Sequence, residues 1–225
     1  SVGKLAASVA HEMRNPLSSM KLWLYSIRKT TRDQPTLDRK LRILSDEVDR
    51  LDRIVRNFLE FSRPPSLKLE PHCIHGVLDK TLEIMRSWLE AKSIRTLIHD
   101  GADVPRVLAD AEQLRQVFGN LLHNAAEAMV EGGTISISIN QETNAEGASI
   151  VVVRVKDTGH GIPDEVRGRM FEPFFTTKDD GTGLGLCIAA GVMARHGGQL
   201  ALESSAADGT TFAVRLPILA EGDDE

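Results

Sequence analysis

The sequence predicts an α+β protein in which a helical hairpin precedes an α/β sandwich, and three patterns support this. Apolar residues recur at helical spacing as far as Ser62, two adjacent prolines then end that spacing, and strands and helices are mixed in the remainder. The 225-residue chain is 41% hydrophobic, which is enough to form globular cores. We therefore expect two domains, at residues 1–65 and 66–225.

The hairpin is predicted from two apolar stripes separated by a polar break at Thr31–Thr36. The first stripe consists of Val2, Leu5, Val9, Met13, Met20, Leu24 and Ile27. The second steps alternately by four and three residues through Leu37, Leu41, Leu44, Val48, Leu51, Val55, Phe58 and Ser62. Because two helices alone bury only one narrow face each, we expect a homodimer in which two hairpins form a four-helix bundle.

Beyond Pro64 and Pro65, which cannot continue a helix, the pattern changes to strands mixed with helices. Helices are predicted near Ile74–Ala91, Asp110–Met129 and Leu184–Arg195. Strands are predicted near Ile94–His99, Thr134–Asn140, Ile150–Val155, Gln199–Glu203 and Thr211–Leu216.

Composition narrows the classes of partner. The net charge of −5, without a basic stripe, argues against nucleic-acid binding. The two cysteines, Cys73 and Cys187, lack the spacing of a zinc site or disulfide framework, which favours a reducing, cytoplasmic location. No apolar run reaches about 18 residues, so we expect this fragment to make no membrane contact and to be the soluble part of a longer protein.

His11 lies in the first predicted helix, on the side away from the apolar stripe. At about 100° per residue, it falls about 180° from the stripe centre near Leu5 and Met20, so we expect it to face solvent. Pro16 frees the carbonyl of Glu12 and loosens the next turn. The imidazole can attack a phosphoryl group while Glu12 orients the ring or accepts its proton. Taken alone, the segment is more typical of an ordinary surface histidine.

Asn120 and Asn124 stand one turn apart on one face of a predicted helix. Paired amide oxygens suit Mg²⁺, which prefers hard oxygen ligands and keeps water or phosphate at its other positions. A solvated polar face is the simpler interpretation of the pair by itself.

A strand running into a glycine-rich turn ends at Asp157, followed by Gly159 and Gly161. An aspartate there can accept a hydrogen bond from the exocyclic amine of adenine, whereas guanine presents an oxygen at that point. An aspartate that caps the turn is equally consistent with this segment.

Three alternating glycines, Gly181, Gly183 and Gly185, open the last predicted helix. Backbone N–H groups at such a helix start can approach phosphates, and the helix field favours negative charge there. The preceding segment of about 20 residues lacks strong periodicity and is long enough for a lid over a ligand.

Together these motifs resemble the transmitter region of two-component sensor histidine kinases over nearly the whole chain. The matching boxes are the H-box Ser8–Leu17, the N-box Asn120–Ala128, the G1 box Asp157–Gly161, the F-box Phe171–Phe175 and the G2 box Gly181–Gly185. The N-box ending and the segment Thr176–Lys178 are most similar to the nitrogen-regulatory type. The family has a dimerisation and phosphoacceptor domain followed by an ATP-binding domain of the GHKL type.

The resemblance implies a reaction and assigns residues to it. His11 would accept the γ-phosphoryl group of ATP, with Glu12 as general base, and pass it to an aspartate in the receiver domain of a response regulator. Asn15 would position water in a phosphatase reaction on that regulator. Asn120 and Asn124 would hold Mg²⁺, and Asp157 would contact adenine.

The glycine-rich segments have implied roles as well. Gly159, Gly161, Gly181, Gly183 and Gly185 would shape the lid and the phosphate loop, in which Thr182 and Leu184 stand between the last three. Lys178 would contact phosphate. Glu127 occupies a position where many relatives have a basic residue, which leaves that phosphate contact open. His123 can compensate for it or simply lie on the helix surface.

Two other functions compete with the kinase. GHKL ATPases of the gyrase, chaperone or mismatch-repair type carry a glutamate base where Asn120 stands, so the asparagine argues against rapid hydrolysis. A dimeric scaffold that binds nucleotide without reacting is the other alternative, and the intact His11 and Glu12 argue against it.

Overall fold

The computed structural model of the chain describes residues 16–29, 35–62, 65–100, 104–178 and 181–219. The chain divides into two compact units, Ser1–Ser66 and Leu67–Glu225. Among the described helices, none is both long and apolar enough to cross a membrane.

The first unit contains two helices, α1 at residues 16–29 and α2 at Pro35–Ser62. Helix α2 begins with Pro35, whose fixed φ suits the first helical position and whose missing N–H costs no bond there. The predicted break at Thr31–Thr36 was therefore too long at its end.

Only part of the predicted seam of α2 is buried within the chain. Leu41, Val48 and Val55, spaced by seven residues, are buried, whereas Leu44 is 54% exposed and Leu51 is 39% exposed. Helical residues spaced by seven share one face, and the two exposed leucines form a second apolar row beside it. The chain by itself therefore leaves these two leucines of its seam uncovered.

The buried side of α1 differs from the predicted stripe. Leu17 is 6% exposed and packs in the small core with Leu24, whereas Met20 is 49% exposed and Ile27 is 41% exposed. Within the chain the buried side of α1 is therefore at Leu17 and Leu24 rather than at Met20. Its exposed apolar side chains also include Leu22, Trp23 and Tyr25.

An ion pair fixes α1 against α2 beside this small core. The Nζ atom of Lys21 lies 2.8 Å from a carboxylate oxygen of Asp49 and 2.8 Å from one of Asp52. Hydrogen bonds to Asp49 and Asp52 raise the pKa of Lys21, and burial opposes them. The polar contact thus lies at the edge of the apolar seam.

The second unit is an α/β sandwich built on a five-stranded sheet of order β2-β4-β5-β7-β6. Its strands are β2 (Ile94–Asp100), β4 (Gly133–Thr143), β5 (Ser149–Asp157), β6 (Gln199–Ala206) and β7 (Gly209–Pro217). Strand β2 is parallel to β4, and the other neighbours are antiparallel. A separate pair joins β1 (Glu70–His72) to β3 (Val107–Ala109). The helices are α3 (Ile74–Ala91), α4 (Ala111–Glu127), α5 (Asp164–Arg167) and α6 (Gly185–Arg195).

The predicted α+β fold is confirmed in this unit, and every predicted helix and strand is present. The three elements that the sequence pattern missed, β1, β3 and α5, contain only three or four residues each. Elements this short do not complete a recognisable period.

One core joins the helices to the sheet. Alternate residues of β4, Ile135, Ile137 and Ile139, are fully buried in it together with Phe118 of α4. On the opposite face of the sheet from Val153, Arg154 pairs with carboxylates of β4 and β6, including Glu203. One face is thus apolar and packed, and it supports α4, which the candidate site uses.

Candidate nucleotide site

The predicted phosphoacceptor segment lies outside the described residues. His11, Glu12 and Asn15 all precede Pro16, with which the described part of the chain begins. All the other predicted site residues are described by the structure, and they belong to the second unit.

Helix α4 is held firmly at its start. Asp110 is the N-cap residue, and its Oδ1 accepts hydrogen bonds from the backbone N–H groups of Glu112 and Gln113 at 3.1 and 3.2 Å. Burial would raise the pKa of the Asp110 carboxyl, but these bonds, with those from the Lys68 backbone and the Gln113 side chain, lower it overall. The buried His196 accepts the backbone N–H of Asp110 through Nε2 at 3.0 Å, which joins the end of α6 to this cap.

Asp157 ends β5 and is 4% exposed. Its Oδ1 accepts the backbone N–H groups of Gly159 at 2.8 Å and Thr210 at 3.2 Å. Burial raises the pKa of this carboxyl, while the two hydrogen bonds and the nearby His160 oppose the rise. Within the described residues no hydrogen bond engages Oδ2. The strand end therefore offers one carboxylate oxygen to a ligand that donates a hydrogen bond.

The turn after Asp157 lies against both α4 and β6. Gly161 has a φ of +75°, and a Cβ atom there would collide with the carbonyl of Ala206. The backbone N–H of His160 lies 3.4 Å from the carbonyl oxygen of Ala128, just past the end of α4. Gly161 is thus required by the close approach of two backbones.

Asn120 and Asn124 are half-buried on α4, as the sequence predicts for one face of a helix. The Nδ2 of Asn120 donates to the backbone carbonyl of Gly185 at 3.1 Å, so the oxygen of this amide remains for another partner. The side chain of Asn124 makes no hydrogen bond within the described residues. Two amide oxygens are thus available, and they suit a magnesium ion that also binds phosphate.

The segment that was predicted to form a lid is anchored in its first half. Helix α5 lies there, and the guanidinium of Arg167 donates to the carbonyls of Ile162 at 3.2 Å and Ser205 at 2.7 Å. Met170 is buried in the core. The lid prediction for the whole segment of about 20 residues was therefore too long.

The glycine-rich loop leads into α6 as predicted. Gly183 has a φ of +65°, and its carbonyl accepts the backbone N–H of Phe174 at 3.0 Å. Thr182 Oγ1 accepts from the backbone N–H of Leu184 at 3.3 Å, and Leu184 is 2% exposed. The buried Leu184 ties the start of α6 to the core, while Gly181 and Gly183 remain partly accessible.

The phenylalanines before this loop do not act as one surface. Phe171 packs against the core, whereas Phe174 is 57% exposed and has a φ of +64°. The guanidinium of Arg169 lies over the ring of Phe175, 4.4 Å from its centroid. Of the three rings, Phe171 thus belongs to the core, whereas Phe174 is largely exposed.

The loop residue Lys178 also contacts α4, because its Nζ forms an ion pair with Oε2 of Glu127. The Nδ1 of His123 is 3.2 Å from Oε1 of the same carboxylate. Burial alone would raise the pKa of Glu127, but His123 and Lys178 lower it to about 2. The ring of His123 stacks on Trp88 of α3, with 4.8 Å between centroids.

Helix α4 therefore brings the predicted motifs together. The start of α6 contacts it at Asn120, the loop residue Lys178 contacts it at Glu127, and the turn after Asp157 contacts it at Ala128. The site residue that sequence reasoning missed is Thr210, which fixes the Asp157 carboxylate from β7. No local pattern could reveal it, because the contact joins residues 53 positions apart.

Two family models match the chain. Residues 1–66 match the His Kinase A (phospho-acceptor) domain, and residues 109–220 match the histidine kinase-, DNA gyrase B- and HSP90-like ATPase family. The first match includes the predicted segment of His11, and the second covers all three contacts on α4.

Curated relatives and solved structures agree with these matches. The chain is 34% identical over 224 residues to the sensor histidine kinase ZraS of Salmonella typhimurium, covering 99% of this chain and 47% of the relative. It is 30% identical over 217 residues to sporulation kinase E of Bacillus subtilis, covering 96% of this chain and 29% of the relative. The chain thus spans about half or less of the length of these relatives.

Full-length ShkA in complex with AMPPNP has a TM-score of 0.78 at 28% identity, covering 96% of this chain and 46% of that one. The catalytic domain of the histidine kinase ThkA has a TM-score of 0.59 at 30% identity, covering 67% of this chain and 96% of that one. With the site geometry and both family matches, these similarities show that the chain belongs to the two-component histidine kinase family.

Proposed function

We propose that this chain is an ATP-dependent protein-histidine kinase that phosphorylates itself on His11. The observation that carries the proposal is the convergence on α4 of one unengaged oxygen of Asp157, two amide oxygens and the glycine-rich start of α6. Residues 1–65 would carry the acceptor, and residues 66–225 would bind the donor. The complex of ShkA with AMPPNP, an ATP analogue, supports ATP as the ligand of this domain.

The residues of the site divide the recognition of ATP among them. Asp157 Oδ2 accepts a hydrogen bond from the exocyclic amine of adenine. The loop Gly181–Gly185 directs backbone N–H groups to the phosphates. Asn120 and Asn124 would hold Mg²⁺ through their side-chain oxygens. When bound, the ion supplies charge neutralisation on the phosphate oxygens. The amide bond to Gly185 keeps Asn120 oriented for this role.

The chemical step is an in-line transfer of the γ-phosphoryl group. A ring nitrogen of His11 forms a bond to phosphorus as the bond to the β-phosphate oxygen breaks, and ADP leaves. Glu12 accepts the proton from the other ring nitrogen or orients the ring. Asn120 stands where hydrolytic relatives have a carboxylate base, so the side chain at that position cannot accept a proton from water.

The phosphoryl group then passes to an aspartate in the receiver domain of a response regulator. The structure of ThkA in complex with the response regulator TrrA, with a TM-score of 0.68 at 30% identity, supports this class of partner. We also propose that Asn15 positions water for dephosphorylation of the regulator. Asn15→Ala should then lengthen the lifetime of the regulator phosphate, and an unchanged lifetime would contradict the phosphatase activity.

The kinase is proposed to act as a homodimer in the cytoplasm. The exposed second row of the α2 seam supports the dimer, and two free thiols, Cys73 and Cys187, are consistent with a reducing compartment. The nitrogen-regulatory subtype stays a prediction, since the named relatives do not distinguish it.

Incubation with ATP radiolabelled at the γ-phosphate tests the proposal. We expect label that survives base and is lost in acid, as for phosphohistidine, and no label on His11→Gln. His72→Gln, on a short strand of the second unit, is the matched control and should label like the unaltered protein. Label that persists on His11→Gln would overturn the assignment of the acceptor.

A further inference from the structure

The Glu127 carboxylate lies on the same face of α4 as the two asparagines of the site. At about 100° per residue, Glu127 falls within about 20° of Asn120 and about 60° of Asn124 around the helix. A triphosphate bound along this face would meet a negative charge. Glu127 is also the last residue of α4, where the helix carbonyls disfavour an anion.

The structure offsets this charge with two cationic or polar neighbours. Lys178 Nζ pairs with Oε2, and His123 Nδ1 lies 3.2 Å from Oε1. His123 is held in place because its ring stacks on Trp88 at an interplanar angle of 11°. One carboxylate oxygen of Glu127 therefore contacts His123 on the same helix, and the other contacts Lys178 in the loop.

Lys178 belongs to the phosphate-loop region. Its backbone N–H donates to Oγ1 of Thr176 at 3.1 Å, and its carbonyl accepts the N–H of Gly181 at 3.2 Å. The side chain that reaches Glu127 thus stands three residues before Gly181, the first glycine of the loop. The ammonium is thus attached beside the proposed phosphate loop, and it is already paired with Glu127.

We propose that Glu127 is a positioning residue that competes with the nucleotide phosphates for Lys178. In the structure, Lys178 pairs with Glu127. Phosphate then takes over the ammonium, while His123 retains the carboxylate. This inference rests on the proposed function, and it explains an acidic residue where many relatives have a basic one.

The competition has a specific energetic consequence. Both members of the pair are partly exposed, at 41% for Lys178 and 34% for Glu127, so the pair is a weak one that a polyanion can displace. Removing the Glu127 charge should strengthen binding of phosphate-bearing nucleotides by about threefold, the scale of a partly exposed ion pair. Adenosine has no phosphate and should bind unchanged.

Calorimetric titration with Mg²⁺ and AMPPNP, and separately with adenosine, tests the proposal. The variants are Glu127→Gln, Lys178→Met and their combination, with Glu131→Gln as a control. Glu131 is exposed, lies four residues beyond Glu127 and has no ion pair within the described residues. Glu131→Gln therefore removes one negative charge near the site without releasing Lys178. Thermal unfolding of each variant checks that the fold is kept.

We expect Glu127→Gln to bind AMPPNP more tightly than the unaltered protein, and Glu131→Gln to bind it equally well. The gain in affinity from Glu127→Gln should be smaller when it is measured in the Lys178→Met background. Weaker or unchanged AMPPNP binding by Glu127→Gln would overturn the proposed competition for Lys178. An equal gain in affinity from Glu127→Gln in the presence of Lys178 and of Lys178→Met would overturn it as well. These failures leave the proposed function standing. An unaltered protein that binds no AMPPNP would overturn both.

Discussion

The side-chain amide of Asn120 donates to the backbone carbonyl of Gly185 at 3.1 Å, which joins the middle of α4 to the first residue of α6. This one contact connects the proposed magnesium residue to the glycine-rich loop. Asn120 therefore has a structural partner that Asn124, one turn later, lacks within the described residues.

This difference predicts that the two asparagines behave unequally when replaced. Asn120→Ala should lower the free energy of unfolding by about 1 kcal/mol, because the hydrogen bond to the Gly185 carbonyl is lost. Asn124→Ala should leave that free energy nearly unchanged. Both should weaken the magnesium-dependent part of AMPPNP binding. Denaturant unfolding and calorimetric titration measure the two effects, and equal loss of stability in both variants would contradict this account.

The buried carboxylate of Asp157 is expected to lower the stability of the fold while it contributes to nucleotide binding. The pKa of its carboxyl is raised chiefly by burial, so the charged form is disfavoured in the folded state. The resulting penalty is absent below the unfolded pKa and fully present above the folded pKa. Asp157→Asn keeps an oxygen for Gly159 and Thr210, so its stability relative to the unaltered protein should rise as pH increases through that range.

The same variant should lose ATP-analogue binding, because an amide nitrogen would face the adenine amine. Unfolding curves across the acidic range and at neutral pH, with AMPPNP titrations, check both effects. A variant that is clearly less stable at neutral pH, or that still binds AMPPNP, would contradict the role of the free carboxylate oxygen.

Gly161 is predicted to be irreplaceable for backbone reasons. Gly161→Ala places a Cβ atom against the carbonyl of Ala206 at a positive φ, so we expect a loss of about 1–3 kcal/mol and weaker nucleotide binding. Gly168→Ala is the matched control, because its φ is −68° and no atom lies within 4 Å of the added Cβ. Equal stability of the two variants by denaturant unfolding would show that the turn is not tightly fixed.

The exposed row of the α2 seam predicts how the proposed homodimer can be separated. Leu44→Asp with Leu51→Asp should give a monomer in light scattering, because charges would replace the apolar row that a second chain would cover. Ile84→Asp is the control, since Ile84 is 76% exposed on α3 of the other unit, and it should leave the mass unchanged. A double variant that remains dimeric would place the interface elsewhere.

The sequence revealed the larger elements but not their contacts. Helices α3, α4 and α6 and the long strands follow periods that the residues show directly, whereas β1, β3 and α5 are too short to display one. The pattern did not single out Leu17 on α1, because apolar residues such as Trp23 and Tyr25 extend around that helix.

The contacts within the site depend on chain topology, which local patterns do not contain. Glu127 and Lys178 stand 51 residues apart, and Asn120 and Gly185 stand 65 apart. The residue types predicted a nucleotide site, but only the packing of α4 against α6 and the loop shows that Glu127 faces it.

Mapping the phosphorylated residue tests the central claim most directly. The protein is incubated with magnesium and ATP, digested under alkaline conditions that preserve phosphohistidine, and analysed by mass spectrometry. This account predicts a phosphoryl group on His11 that does not form when Asp157→Asn removes ATP binding. A phosphoryl group on another residue, or ATP consumption to free phosphate with His11 unmodified, would contradict it.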